Sequence, residues 1–226
     1  MDSSNSLTKI NDFFTEVLEF MVLNVMWILC TLLGGIVFGW APSTVAILTI
    51  MRDKIRKSER AGVIKTFWKI YCKEFKAANK LGILLTIVFI IAFINKQNFD
   101  AQPEAIFGGL SIISLIVMLA VILVSVFVFP LYVHYDIEGK KYLPTALTMM
   151  VFRPFVTICQ ILWAWMIYSI SMLIPGLIPV LAIAVYAYGV MAISYQFFMR
   201  NEDRLKAEQR AKEERAKEQI HNNMEC

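Results

Sequence analysis

Four stretches of the chain, 20–51, 81–95, 105–135 and 154–199, contain no Asp, Glu, Lys or Arg. Crossing a hydrocarbon core about 30 Å thick takes roughly 20 apolar residues of helix. Helix is required because a backbone N–H or C=O finds no water there. The longest stretch, 154–199, has room for two crossings, and Pro175-Gly176 and Pro179 near its middle place a tight turn between them. The stretch 105–135 reads as one span that Pro130 should kink or end. The short stretch 81–95 becomes a full span when extended back through Phe75, Ala77 and Ala78, with Lys76 and Lys80 snorkelling to the headgroups.

The opening stretch divides differently. Gly34-Gly35, Gly39 and Pro42 fall where a helix would break, and Ser43 and Thr44 are suited to cap a new start. The favoured division is a span at 18–38 followed by a helix at 42–57 lying at or dipping into the interface. The rival is a re-entrant hairpin, which raises the count from five membrane segments to six. The expectation is therefore an all-α, polytopic transmembrane bundle with spans near 18–38, 76–95, 106–133, 154–174 and 179–199. It forms one membrane domain over 1–200, and a charged tail over 201–226 follows.

Composition removes the competing classes. Apolar residues make up 58% of the chain and charged ones 18%, against roughly 45–50% and 25% in soluble domains. A soluble or nucleic-acid-binding fold is excluded. The charges are also unevenly placed: residues 52–80 hold ten Lys and Arg against three acids, and 1–19 hold one Lys against four acids. Basic loops near span ends stay in the cytoplasm, so 52–80 is expected inside a cell (plasma) membrane, with the C-terminus inside too. A five-span count puts the N-terminus outside, and the hairpin puts it inside. The first 19 residues are net acidic and lack a signal-peptide pattern.

Two segments look suited to contact. In 61–76, Phe67, Trp68, Tyr71 and Phe75 recur at helical spacing opposite Lys65, Lys69 and Lys73. That is a basic amphipathic helix, expected to lie in the headgroup plane or to dock a cytoplasmic partner. The tail mixes both charges with almost no apolar face, the pattern of a solvated helix.

Chemistry is sparse. No ionisable residue lies inside a span, although ion-coupled transporters keep them there. His134 and Asp136, where the third span meets the cytoplasm, are the nearest titratable pair and read first as part of an interfacial belt with Tyr132 and Tyr135. Two histidines and four scattered cysteines form no zinc pattern, no nucleotide-binding glycine loop is present, and no catalytic residue, metal or cofactor is assigned. Among the polar residues within spans, Gln160, close to Trp163 and Trp165, is the strongest candidate for touching a substrate.

A family likeness rests on a run of these residues. Asn24 and Trp27 precede Gly39-Trp40-Ala41-Pro42-Ser43-Thr44-Val45-Ala46; then come Phe67-Trp68, Tyr71, Phe75, Lys76-Ala77-Ala78-Asn79 and Phe129-Pro130-Leu131. This pattern resembles the YesL family of bacterial membrane proteins, over residues 10–200. The resemblance singles out Gly39, Pro42, Ser43 and Thr44 as the motif and brings no catalytic residue. It implies a non-enzymatic accessory or regulatory role beside ABC-type carbohydrate uptake, with transporter permease or ATPase subunits as partners. The alternative is a small facilitator or channel for a neutral solute such as a sugar, formed by a homo-oligomer.

Overall fold

The structure, a computed structural model, describes residues 2–58, 62–135, 142–152 and 154–224. Among the described residues it consists of helices joined by turns, with no strand. In order come α1 (Asp2–Leu33), α2 (Trp40–Ile55), α3 (Val63–Asp100), α4 (Ala105–His134), α5 (Tyr142–Phe152), α6 (Pro154–Leu173) and α7 (Ile183–Met224), the last entered through a π-helical turn, Ile178–Ala182. Five segments are long and apolar enough to cross a membrane: Thr8–Leu33, Val63–Asp100, Ala105–His134, Phe155–Leu173 and Pro179–Ala211. The chain is a multi-pass membrane helix bundle.

The first two helices form an antiparallel hairpin. Its turn, 34–39, holds Gly35 and Ile36 at φ +67° and +64°, a region glycine enters at little steric cost. Gly34 and Gly39 meet across the turn so closely that a methyl group on either would strike backbone at 2.2–2.3 Å. From there the helices zip back: the Trp27 indole N–H donates to Thr44 Oγ1 at 3.2 Å, and Lys54 Nζ reaches Glu19 at 2.9 Å and Glu16 at 3.6 Å. Residues 16–19 thus share an end with the basic residues 52–54, so α1 and α2 double back as the rival hairpin has it, while the count of segments long enough to cross stays at the expected five.

The interfacial placement of 42–57 also needs correction. Nine residues of α2 are buried, Val45, Ile47, Ile50 and Met51 among them, and α2 packs against α1, α3, α4 and α7. An apolar 16-residue helix of about 24 Å can bury itself against lipid or against protein; here protein surrounds it.

The basic helix and the second span, expected to divide near 76, are one uninterrupted helix, α3. No proline lies within it, and Gly82 serves a close approach, since a Cβ there would sit 2.4 Å from that of Ala41. Likewise α4 runs four residues past Pro130 to His134, and α7 passes residue 200 into the tail without a break. At the far end α3 turns into α4 through 101–104, where Phe99 stacks on Phe107 at 6.0 Å and the Asp100 carboxylate accepts from both Lys96 and Ser111. The entry to α7 is closed from a distance. Asn24 of α1, fully buried, donates to Pro179 O at 2.6 Å and accepts from the Ile183 and Ala184 amides at 2.9 and 3.1 Å. Those are N–H groups that a helix start leaves without partners.

Candidate functional site

The first half of α3, the ends of α2 and α4 and the start of α5 come together, and α4 meets α7 beside them through His134 and Glu202. Between them lies a cavity of about 380 Å³ whose walls include Thr49, Arg52, Lys73, Glu74, Tyr132, His134, Tyr135 and Tyr142. Its lining is rich in polar side chains, and these are tied to one another. The Arg52 guanidinium donates to the Val133 carbonyl and pairs with Asp53 at 3.0 Å. Tyr132 donates to Glu74 at 2.5 Å, and Tyr142 to the Tyr135 carbonyl at 2.9 Å. His134 Nε2 sits 3.2 Å from Glu202 Oε1, its ring 4.9 Å from that of Phe198, and its Nδ1 is buried without a partner. Burial, and after it the Glu202 carboxylate, push Tyr135 up to about 12, so its hydroxyl stays a neutral donor at physiological pH.

Of the sequence candidates, His134 and Lys73 therefore come together here, with Tyr132 and Tyr135 of the expected belt, joined by Arg52, Glu74 and Tyr142, which periodicity could not connect. Asp136 lies outside the described residues. Among the described residues no three His, Cys, Asp or Glu side chains are grouped as metal ligands.

The expected docking face of 61–76 divides in two. Phe67 is 0% and Tyr71 5% exposed, and the Tyr71 hydroxyl donates to Cys30 O at 3.0 Å, so both belong to the core. Phe75 is half-buried against Tyr71 at 5.5 Å. The amphipathic stripe is real, but its apolar side meets α1 and α2 instead of the headgroups. What stays outside is Lys65, Lys69 and Lys73 with Trp68, which is 49% exposed and stacked on Tyr71.

The motif residues are structural. Gly39 is the first cap of α2 with no side-chain bond, Pro42 is buried in the first turn, where a missing N–H costs nothing, and Ser43 Oγ is buried and unpaired. Neither Ser43 nor Thr44 caps the helix as expected, because the helix begins at Trp40, before them. Thr44 instead returns its hydroxyl to Trp40 O at 2.7 Å. With Trp27 and Trp40 it lines an apolar cavity of about 240 Å³ against α4 and α7.

Gln160 is 3% exposed, and its Nε2 donates to Ser194 Oγ at 3.0 Å. Only one of its two neighbouring tryptophans shares its cleft. Trp165 does, whereas Trp163 is turned onto Gly189 and donates to Tyr186 O at 3.2 Å.

Residues 20–96 match the family described as "Protein of unknown function, DUF624". The chain is 31% identical to "Uncharacterized protein YesV" of Bacillus subtilis over 82% of its length and 89% of that relative's. It is 29% identical to "Uncharacterized protein YteU" of the same organism, over 89% of this chain and 90% of the relative. "Uncharacterized protein YesL" is 29% identical over 66% of this chain and 70% of its own length. No solved structure matches the chain. With likeness of this extent to YesV, and with the expected motif in place, the chain belongs to the DUF624 family of YesL-like membrane proteins.

Proposed function

We propose that this protein is a non-enzymatic accessory component of an ABC-type carbohydrate uptake system in the plasma membrane. One observation carries the reading: the contact-competent features gather at one end of the bundle. The exposed Lys65, Lys69, Lys73 and Trp68, the polar cavity, and the stretch of α7 beyond Glu202 all lie where α2, α3 and α4 converge. Ten bases in 52–80 support a cytoplasmic location for that end, where the ATPase subunits of such a transporter sit. On this orientation the α1–α2 hairpin brings the N-terminal end inside, together with the tail. The carbohydrate part of the reading rests on what the likeness to the YesL family implies.

Co-purification in mild detergent tests it. The wild-type chain should bring down permease or ATPase subunits, a Lys65→Glu/Lys69→Glu/Lys73→Glu variant should lose them, and sugar uptake should fall in a deletion strain. Recovery of the chain alone, with uptake unchanged by deletion, would overturn the proposal.

A further inference from the structure

Helix α6 packs along α7 and touches α5, but it does not pack along α4. The gap between α4 and α6, floored by Tyr186 of α7, is a cleft of about 340 Å³. Its rim residues Ile161, Trp165 and Tyr168 are 47%, 67% and 60% exposed. Every residue lining it comes from the charge-free stretches 105–135 and 154–199, so the solvent at its mouth is hydrocarbon. Within this apolar wall Gln160 is almost wholly buried. Its Nε2 is satisfied by Ser194, and its Oε1 has no hydrogen-bond partner. A buried acceptor left unmatched costs on the order of 1–3 kcal/mol, more than an ordinary helix–helix contact returns in a membrane.

We propose that this cleft binds a membrane lipid with a single free hydroxyl and no headgroup charge. The lining fits that class, of which a diacylglycerol is the member tested, and excludes two others. A phospholipid would bring a phosphate to a cleft with no cation in its lining. A saccharide would bring several hydroxyls, and each one left unmatched against apolar wall costs on the order of 1–3 kcal/mol. A diacylglycerol offers one O–H to Gln160 Oε1 and lays its acyl chains along Ile122, Val126 and the Trp165 ring, after a small displacement at the rim. Entry is sideways from the bilayer. The site is independent of any partner at the cytoplasmic end.

The test uses the full-length protein in phosphatidylcholine vesicles and reads tryptophan quenching by a diacylglycerol brominated on its acyl chains, compared with the O-methyl ether of the same lipid. The ether keeps the shape and loses the donor. The alcohol should bind about tenfold tighter than the ether, the worth of one hydrogen bond in a dry site. Trp165→Phe should remove most of the quenching, and Gln160→Leu should bring the two lipids to equal affinity. Equal quenching by alcohol and ether in the wild-type chain would overturn the proposal, and that comparison needs no variant to fold. So would a preference that survives Gln160→Leu, or displacement of the brominated lipid by a soluble disaccharide, which would give the cleft to a sugar.

Discussion

Replacing Gly39 by alanine places a methyl group 2.2 Å from the Thr31 carbonyl oxygen, 2.7 Å from Thr31 Cα and 2.8 Å from Cys30 O. All three are backbone atoms of a helix, so no rotamer change relieves the contact. The two arms of the hairpin must part by roughly 1 Å at its tip, and the strain passes to the Trp27–Thr44 and Lys54–Glu19 contacts farther along. Overpacking of this kind costs about 1–3 kcal/mol or more. For a chain of this size each kcal/mol lowers the melting temperature by roughly 2–4 °C. Gly39→Ala should therefore melt about 3–10 °C below wild type in detergent, followed by fluorescence-detected gel filtration after heating. Gly108→Ala is the matched control. It lies within α4 with nothing within 4 Å of a new Cβ, and helix propensity favours alanine there by about 1 kcal/mol. Because Gly34 and Gly39 face each other, the Gly34→Ala/Gly39→Ala pair should cost clearly less than the two single changes added. A Gly39→Ala protein that melts with wild type, or strictly additive costs, would show that the tip is not closed in this way.

Three further outcomes are expected. Asn24→Leu removes all three hydrogen bonds to the entry of α7, at a cost of about 3 kcal/mol or more; hydrogen exchange should find the Ile183 and Ala184 amides deprotected, and unchanged protection would contradict the assignment. Tyr135 holds its proton to about pH 12, beyond the ordinary tyrosine value near 10, so its contribution to stability is complete below that ordinary value and is lost as pH climbs toward 12. The late tyrosinate step in an absorbance titration should vanish in Tyr135→Phe and move to lower pH in Glu202→Gln, and a step indifferent to both would refute its cause. Ending the chain at residue 205 removes exposed positions such as Lys206, Arg210 and Arg215, and should shift melting by no more than about 2 °C.

Spans were legible because charge is so costly in hydrocarbon that its absence over 15 or more residues leaves a mark in one dimension. The turn at Pro175–Pro179 was legible for the same local reason. What escaped was anything that depends on which surface an apolar face meets. The stripe Phe67, Tyr71, Phe75 and Ala78 has the same spacing whether it faces headgroups or α1, and only the packed bundle distinguishes them. Helix α2 escaped likewise, since being apolar states a preference for leaving water and nothing about the neighbour. Asn24 carried a weaker signal, as a buried amide within a span needs partners, but those partners stand 155 or more positions away. Gln160 was found beside an aromatic pair; which tryptophan shares its cleft depended on Gly189, whose missing side chain admits Trp163.

At 38 residues, α3 measures about 57 Å, nearly twice the hydrocarbon thickness. Free of proline and pinned to α4 at both ends, by Glu74–Tyr132 and by Phe99–Phe107, it behaves mechanically as a stiff rod through the membrane. A torque applied to its lysine-bearing first turns would reach the opposite water layer as tilt rather than dissipate in a hinge.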